Sequence, residues 1–528
     1  MGTKRLKKQT TKTYREFPQH PPNNLNILKS IEKTRSFNFH TNWYAPCNAP
    51  SGIEEALDIQ RKVNMIDISK DYDVLVIGGG NAALCAAITA REKGVSVLVL
   101  EHASRDFRGG NSRHTRNLRC AHDGPTQFLN GEYPENIFWD ELLKVTGGDT
   151  DEKLAQIMIS ESPNVPQWLY DRGVRFQHIQ GTLGLAHSNP FFLGGGRALL
   201  NALYVTAEGL GVDIVYDTEV LELNIENGKF LSALVRSRAF TQEVRAKSVI
   251  VASGGFQADI AWLKEAWGDI ANNFIIRGTS FNKGRMLKSL IQKGAKPTGD
   301  PLQCHAVAID ARSPKFDAGI VTRLDSVSFG IVVNKNAERF YDEGEDFWPK
   351  RYAIWGRLVA GQPDQIAYSI IDSKSINLFM PSLFNPYKAD NLKELSNKIG
   401  LNPDKFVATV NEFNSSVRPG TFNKDALDDC STIDLLPSKT HWARRIDTPP
   451  YYAYPLRPGI TFTYLAVKID GQARVVMQDE RPAENIYATG EIMAGNILGK
   501  GYMAGTGMTI GTVFGRIAGR EAAHYVAE

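Results

Sequence analysis

The segment that is most informative about the fold is Asp73-Val74-Leu75-Val76-Ile77-Gly78-Gly79-Gly80-Asn81-Ala82-Ala83. An apolar, largely β-branched run ends at the glycines, and apolar residues then recur at helical spacing as far as Lys93. A second apolar run, Ser96–Leu100, ends at Glu101, about twenty residues beyond the glycines. This order of strand, glycine turn, helix, strand and acid predicts a dinucleotide-binding βαβ unit.

The residues of this turn have predicted contacts with the dinucleotide. Gly78 is expected to make the tight turn, and Gly80 to let the pyrophosphate approach the backbone. Glu101 is expected to accept hydrogen bonds from the adenosine ribose. The pyrophosphate should lie at the helix N-terminus, beside Asn81 and Ala82, where unpaired N–H groups favour negative charge. The motif alone leaves the choice between NAD and FAD open.

Three further stretches fit the path of such a ligand. The first is the glycine turn Arg108-Gly109-Gly110-Asn111-Ser112, soon after Glu101. The second is the apolar run Ser248–Ala252, which ends in Ser253-Gly254-Gly255. The third is the strand-like run Asn485–Thr489, which ends in Gly490-Glu491 and is followed by a glycine-rich segment and a helix predicted from about Thr506.

With these elements, the chain from about Asp71 to Ala523 resembles the succinate dehydrogenase and fumarate reductase flavoproteins. The resemblance implies FAD, bound without a covalent link, as the cofactor. It implies that Gly109-Gly110-Asn111-Ser112 lies along the FAD pyrophosphate and flavin, with Arg116 close by. The helix start at Gly507, Met508 and Thr509 is expected to offer N–H groups to the pyrimidine edge of the flavin.

The resemblance also implies an α/β fold, in which an α+β capping domain is inserted into a discontinuous, Rossmann-like FAD-binding domain. We expect a basic, flexible extension at 1–70, the FAD-binding domain at 71–303 and 451–528, and the cap at 304–450. The β-type run Gly330–Asn334 and helical stretches near 391–399 and 403–414 suit a separate module. A cap that closes over the flavin excludes water and completes the site.

Within this family, the longest matching strings resemble the tricarballylate dehydrogenases. These strings lie at 109–119, 339–357, 454–464 and 490–511. They imply oxidation of tricarballylate, or a similar polycarboxylate, to cis-aconitate by hydride transfer to flavin N5. Fumarate reductase-like, ketosteroid dehydrogenase-like and precorrin-3B synthase-like activities stay open as alternatives, because fold alone does not set the substrate.

The resemblance points to a proton-transferring arginine. Arg339-Phe340-Tyr341-Asp342-Glu343 matches the string that precedes this arginine in fumarate reductases, and Arg351 is its counterpart after a short insertion. Because a guanidinium normally stays protonated, this role requires coupling to acidic neighbours, for which Glu343, Glu345 and Asp346 are candidates. An arginine that only binds carboxylate, or that lies on the surface, is the alternative.

Position within the family also predicts substrate contacts. His305 falls where the family places a carboxylate-binding histidine, and Thr322 matches a substrate-binding threonine. Arg323 stands where fumarate reductases carry Glu, which suits an additional carboxylate. Two fumarate reductase strings are replaced, which makes plain fumarate reduction unexpected; the replacing residues that become candidate contacts are Tyr464, Lys500 and Tyr502.

A cluster of cations follows the second glycine turn. Arg113, His114, Arg116 and Arg119 are expected beside the flavin, where a substrate role and neutralisation of the FAD phosphates are both open. Across the whole chain, 61 basic residues nearly balance 58 acidic ones, which gives no reason to expect nucleic acid as a partner.

The cysteines bear on metals and on electron transfer. Cys47, Cys85, Cys120, Cys304 and Cys430 form no CxxC pair and no spacing for zinc or an iron–sulfur cluster, so no metal site is expected. Electrons on reduced FAD must therefore pass to O₂ or to a separate protein, for which the resemblance suggests a membrane-associated iron–sulfur protein.

The remaining features concern location. The first forty residues hold nine Lys or Arg and two acids, which fits a flexible extension or an organelle-targeting segment. The longest apolar stretch is interrupted at Gly78-Gly79-Gly80-Asn81, so no membrane span is expected. A cytoplasmic protein is predicted, with peripheral membrane attachment left open.

Overall fold

The predicted βαβ unit is present in the computed structural model, which describes residues 66–179 and 186–528. β1 (Tyr72–Ile77) leads through α1 (Asn81–Glu92) to β2 (Val97–Leu100), which pairs with β1 in parallel. All four residues of β2 are buried, as expected for a parallel sheet covered on both faces. Most of the predicted N-terminal extension, and Cys47, lie outside the described residues.

The other strands and helices follow in chain order. The strands are β3 (Asp213–Val215), β4 (Glu219–Glu226), β5 (Lys229–Arg236), β6 (Thr241–Val251), β7 (Ile275–Ile276), β8 (Pro297–Thr298), β9 (Cys304–Asp310), β10 (Ile331–Asn334), β11 (Ala367–Asp372), β12 (Tyr387–Ala389), β13 (Tyr451–Thr463), β14 (Ala466–Val467), β15 (Arg474–Val476) and β16 (Pro482–Ala488). The helices are α2 (Glu135–Thr146), α3 (Glu152–Glu161), α4 (Val165–Asp171), α5 (Gly195–Gly209), α6 (Ile260–Trp267), α7 (Arg285–Gln292), α8 (Trp348–Arg351), α9 (Trp355–Ala360), α10 (Leu392–Ile399), α11 (Pro403–Ser416) and α12 (Thr506–Ala527).

The first sheet carries the nucleotide-binding motif. Its main path runs β15-β16-β6-β1-β2-β3, and all neighbours from β16 to β3 are parallel. The antiparallel strands β4 and β5 attach to it through β6. Parallel strands put all their carboxyl ends at one edge, and ligands of open α/β sheets bind at that edge.

The second sheet is centred on the long strand β13. Its path runs β10-β11-β13-β12, and β7 and β9 also pair with β13. Ile331 and Val333 of β10 face a core built with α10 and α11, whereas Val332 between them faces a core built with α9. This alternation covers both faces of the sheet with apolar side chains.

The second sheet does not coincide with the predicted cap at 304–450. β7 precedes this range and β13 follows it, because β13 pairs with β11 and β12 through its first half and with β7 and β9 through its second. The boundaries between the FAD-binding domain and the cap, at 303/304 and 450/451, stay a prediction.

Close packing joins the last helix to the first. α12 carries glycine at every fourth position from Gly507 to Gly519. A Cβ at Gly515 would lie 2.6 Å from the carbonyl oxygen of Ala82 in α1. The helices approach this closely because glycine lacks a side chain, and the Asn81 amide donates to Thr512 Oγ1 across the contact at 2.9 Å.

Two findings concern membranes and metals. Within residues 66–179 and 186–528, no helix combines the length and apolar character needed to cross a bilayer. The same part of the chain holds no group of three or more His, Cys, Asp or Glu side chains placed to bind a metal ion.

Candidate functional site

A long pocket opens at the carboxyl edge of the first sheet. The ends of β1, β2, β6 and β16 line it, together with the N-termini of α1 and α12. Helix N-termini present unpaired N–H groups and a positive partial charge, so two of the pocket walls are suited to phosphate or other negatively charged groups.

The backbone of the pocket is shaped for a closely bound nucleotide. Gly78 has φ +109°, and a Cβ there would lie 2.5 Å from the carbonyl oxygen of Ala252. No other residue fits this turn without strain. The buried hydroxyl of Ser253, which lines the pocket, has no hydrogen-bond partner among the described residues, so it is available to a ligand. These features fit FAD.

Nearly all the predicted cofactor residues meet at this pocket. Its lining includes Gly78, Gly80, Asn81, Ala82, Glu101, Gly109, Gly110, Asn111, Ser112, Arg116, Ser253, Gly254, Gly490, Glu491, Gly507 and Met508. Thr509 does not line the pocket, because its hydroxyl turns inward and donates to the carbonyl oxygen of Arg119.

Glu101 accepts hydrogen bonds from the protein as well as facing the pocket. Its Oε1 accepts from the Ala103 amide at 2.8 Å, and its Oε2 accepts from the Gly109 amide at 3.2 Å. Burial raises the pKa of this carboxyl. The two bonds tie the end of β2 to the second glycine turn, so Glu101 holds the turn in place in addition to its predicted contact with ribose.

Glu491 joins the two sheets at the pocket. Its Oε1 accepts from the Thr463 amide of β13 at 2.9 Å, and its Oε2 accepts from the Gln257 side chain at 3.4 Å. Burial raises the pKa of Glu491 to about 7, despite these hydrogen bonds. Burial thus favours the neutral form of this carboxyl group, which lines the pocket next to the predicted flavin.

Three arginines, Arg116, Arg277 and Arg323, line one region of the pocket. Arg323 forms a bidentate ion pair with Asp325, at 2.5 and 2.8 Å. Arg277 is 4% exposed and donates to Thr461 Oγ1 at 2.8 Å. No carboxylate of the described residues lies within ion-pair distance of Arg116 or Arg277.

The pKa values of these arginines reflect their crowding. Burial, and secondarily the charge of Arg323, lowers the pKa of Arg277 to about 9 and that of Arg116 to about 10. Of the three guanidinium groups, only that of Arg323 has a carboxylate partner among the described residues. A bound anion would relieve their mutual repulsion.

An aromatic group lies beside these arginines. The ring of His305 stacks on that of Tyr502 with centroids 3.9 Å apart, and the ring of Tyr352 stands nearly perpendicular to it at 5.6 Å. Neither ring nitrogen of His305 has a hydrogen-bond partner in the described structure. Burial, followed by the charges of Arg277 and Arg323, holds the pKa of His305 well below its usual value, so the imidazole is neutral.

Of the predicted substrate residues, His305, Arg323 and Tyr502 line the pocket, whereas Arg351, Thr322, Tyr464 and Lys500 do not. The Arg351 guanidinium is bound to Glu345 and to the Tyr341 hydroxyl. Thr322 donates to the carbonyl oxygen of Gly319, and Tyr464 donates to that of Gly501. Lys500 is exposed.

Arg277 and Tyr352 also line the pocket, although the sequence motifs did not predict them as site residues. Arg277 directly follows β7, and the pairing of β7 with β13 brings it to the pocket. A single arginine at the end of the apolar run Phe274-Ile275-Ile276 is a signal that could have singled it out. The side chain of Tyr352 lines the pocket, whereas that of its neighbour Arg351 does not. No local sequence pattern shows this difference in direction.

The fold and the pocket define the class of protein, an FAD-dependent oxidoreductase. The family model described as FAD binding domain matches residues 73–508. The chain belongs to this family, and FAD is its cofactor.

Known proteins of several activities are similar to this chain. The NADH:fumarate oxidoreductase of Klebsiella pneumoniae (strain 342) is 27% identical over 471 residues, which cover 86% of this chain and 48% of that protein. The vinyl phenol reductase of Lactiplantibacillus plantarum (strain ATCC BAA-793 / NCIMB 8826 / WCFS1) is 24% identical over 503 residues, covering 86% and 97%. The chain thus spans about half of the first relative and nearly all of the second.

A solved structure shares the fold. The open conformation of a flavocytochrome c3 fumarate reductase has a TM-score of 0.70 and 22% identity, covering 90% of this chain and 81% of that chain. At this level of identity the likeness concerns the fold alone.

Proposed function

We propose that the protein is a dehydrogenase that oxidises tricarballylate, or a similar polycarboxylate, to cis-aconitate or its analogue. The observation that carries the proposal is the group Arg116, Arg277 and Arg323, which lines the pocket beside a single carboxylate, Asp325. A substrate with several carboxylates supplies the negative charge that this group lacks.

The protein's own residues then orient the substrate. Arg116 and Arg277 hold carboxylates, since neither is paired with an acid of the described chain. Neutral His305 donates one N–H to a carboxylate oxygen without adding another charge. FAD, when bound in the pocket, would supply the acceptor for the hydride. Fixing the carboxylates fixes the C–H bond that must face the flavin.

The residues that were predicted from the family but lie outside the pocket belong to the proposal only if they move toward the substrate. Arg351 can reach a substrate only after it leaves Glu345 and Tyr341. Closure of the proposed cap would provide this movement.

A second candidate function is reduction of an uncharged alkene. The aromatic surface of Tyr352, Tyr502 and Phe462 in the pocket favours it, since apolar and aromatic walls bind uncharged rings. Vinyl phenol reductase, which this chain nearly covers, is named for such a substrate. A ketosteroid, which is also uncharged, belongs to the same alternative.

The electron acceptor is proposed on the same basis. We propose that electrons leave the reduced FAD for a separate electron-transfer protein, of the membrane-associated iron–sulfur type, or for O₂.

The test is anaerobic flavin reduction. The purified protein is mixed with tricarballylate, succinate, citrate, a vinyl phenol and a steroid, and the flavin band near roughly 450 nm is followed. Rapid bleaching by tricarballylate alone is the expected result. Bleaching by none of the polycarboxylates would refute the proposal and leave the FAD fold intact.

A further inference from the structure

We propose that Tyr352, rather than Arg351, transfers the proton to or from the substrate carbon. This inference rests on the proposed function, since it assumes that a C–H bond next to a carboxylate is made or broken in the pocket. It assigns to one residue a step that the family resemblance had assigned to its neighbour.

The adjacent side chains of Arg351 and Tyr352 differ in what they reach. Tyr352 lines the pocket and is 5% exposed. Arg351, one residue earlier, is absent from the lining and remains attached to Glu345 and Tyr341. The two side chains leave the backbone where α8 ends at Arg351 and the 3₁₀ turn Tyr352–Ile354 begins.

The Tyr352 hydroxyl is available to hydrogen-bond a substrate. No hydrogen bond joins it to any residue within 66–179 or 186–528. The Tyr464 hydroxyl is engaged with the carbonyl oxygen of Gly501, and the Tyr502 hydroxyl already accepts from the Gly507 amide. Tyr352 therefore has both a free donor and free acceptor positions for the substrate.

Positively charged groups lie around the Tyr352 ring. The Arg323 guanidinium lies 4.6 Å from the centroid of the Tyr352 ring. Tyr352 also interacts electrostatically with Arg116 and Arg277, whose carboxylate-binding role places the substrate beside it. Cations placed in advance stabilise the negative charge that develops on the phenol oxygen as the proton leaves.

The step balances in both directions. In reduction, the carbon next to the carboxylate gains the proton of the Tyr352 hydroxyl, and the neighbouring carbon gains the hydride. The C=C double bond becomes a single bond, the reduced cofactor supplies both electrons, and the phenolate recovers a proton from solvent. In oxidation the phenolate takes up the proton and the same bonds change in reverse.

The experiment compares Tyr352→Phe with Arg351→Gln in the FAD-loaded enzyme. For each variant, the rate of flavin reduction at saturating tricarballylate and the dissociation constant of tricarballylate are measured separately. Tyr352→Phe is expected to lose about 10²–10⁴-fold in rate, with little change in affinity. Arg351→Gln is expected to lose less than about tenfold.

Tyr170→Phe makes the same chemical change on an exposed tyrosine outside the pocket and serves as the control. A Tyr352→Phe rate close to that of wild type, or a larger loss in Arg351→Gln, would overturn the assignment while the proposed function stood. If no polycarboxylate reduced the wild-type flavin, both would fall together.

Discussion

Arg277 and Arg323 lie in the same pocket but have different partners. Arg323 is matched by Asp325, whereas Arg277 donates to a hydroxyl and to backbone carbonyls. A buried guanidinium without an acid carries an unneutralised charge, which costs stability unless a ligand supplies the counter-charge. Arg277 is therefore the stronger candidate for an anchor of substrate carboxylate.

Replacing Arg277 should weaken substrate binding more than it weakens folding. Arg277→Gln is expected to raise the dissociation constant of tricarballylate by about 10- to 150-fold, since hydrogen bonds to charged groups contribute about 1.5–3 kcal/mol. The measurement is a titration followed through the flavin spectrum. Arg474→Gln, which removes a surface ion pair with Asp470, is the control. Equal affinities in both variants would exclude Arg277 as the anchor.

His305 gives a second prediction, for stability against pH. Its pKa in the folded protein is lowered by burial and by Arg277 and Arg323. Below pH 6.5 the unfolded chain therefore takes up a proton that the folded protein does not, and the free energy of unfolding falls as pH falls. The contribution of this group is at most about 1.4 kcal/mol per pH unit.

His305→Gln should reduce this slope. The free energy of unfolding is measured by urea titration between pH 7 and 5, and the slopes of the variant and the wild type are compared. His524→Gln makes the same change at an exposed position on α12 and serves as the control. An unchanged slope in His305→Gln would mean that the imidazole binds its proton equally well in the folded and the unfolded protein, which would contradict the prediction.

Among the elements, the pair α1 and α12 sets the width of the pocket. The glycines of α12 let its axis approach α1, and the N-termini of both helices line the pocket. A side chain between the helices would push these N-termini apart. The packing of two helices is thus connected to the binding of the cofactor.

Gly515→Ala tests this connection. The added Cβ would lie 2.6 Å from the Ala82 carbonyl, so we expect a loss of stability of about 1–3 kcal/mol and weaker retention of FAD. Thermal unfolding and the ratio of flavin to protein after gel filtration are the measurements. Gly209→Ala, at the end of α5 with open space around it, should be neutral or slightly stabilising. Similar behaviour of the two variants would refute the argument.

The sequence predicted elements with local signals better than contacts between distant ones. The glycine turn at Gly78, the acid at Glu101 and helical spacing predicted β1, α1 and β2 within two residues of their observed ends. Arg277 reaches the pocket through the pairing of β7 with β13, nearly two hundred residues apart in the chain, and no periodicity reports that pairing. The side-chain direction at Tyr352 depends in the same way on tertiary packing.

For the whole molecule, the origin and fate of the electrons give a prediction. Among residues 66–179 and 186–528, no group of three or more His, Cys, Asp or Glu side chains is placed to bind a metal ion. Without an acceptor under anaerobic conditions, the enzyme should form about one product molecule per FAD and then stop. Quantifying cis-aconitate against flavin, with and without an added electron-accepting dye, measures this. Continued formation without the dye would reveal an acceptor carried by the protein itself.

The contact between α12 and α1 also has a consequence for biosynthesis. Asn81 and Thr512, which join the two helices, are 431 residues apart in sequence. During translation, the first nucleotide-binding motif leaves the ribosome long before the helix that completes its pocket. FAD therefore cannot be fully enclosed until synthesis has passed residue 511, and until then the apolar face of α1 must be covered by other parts of the nascent chain or by a chaperone.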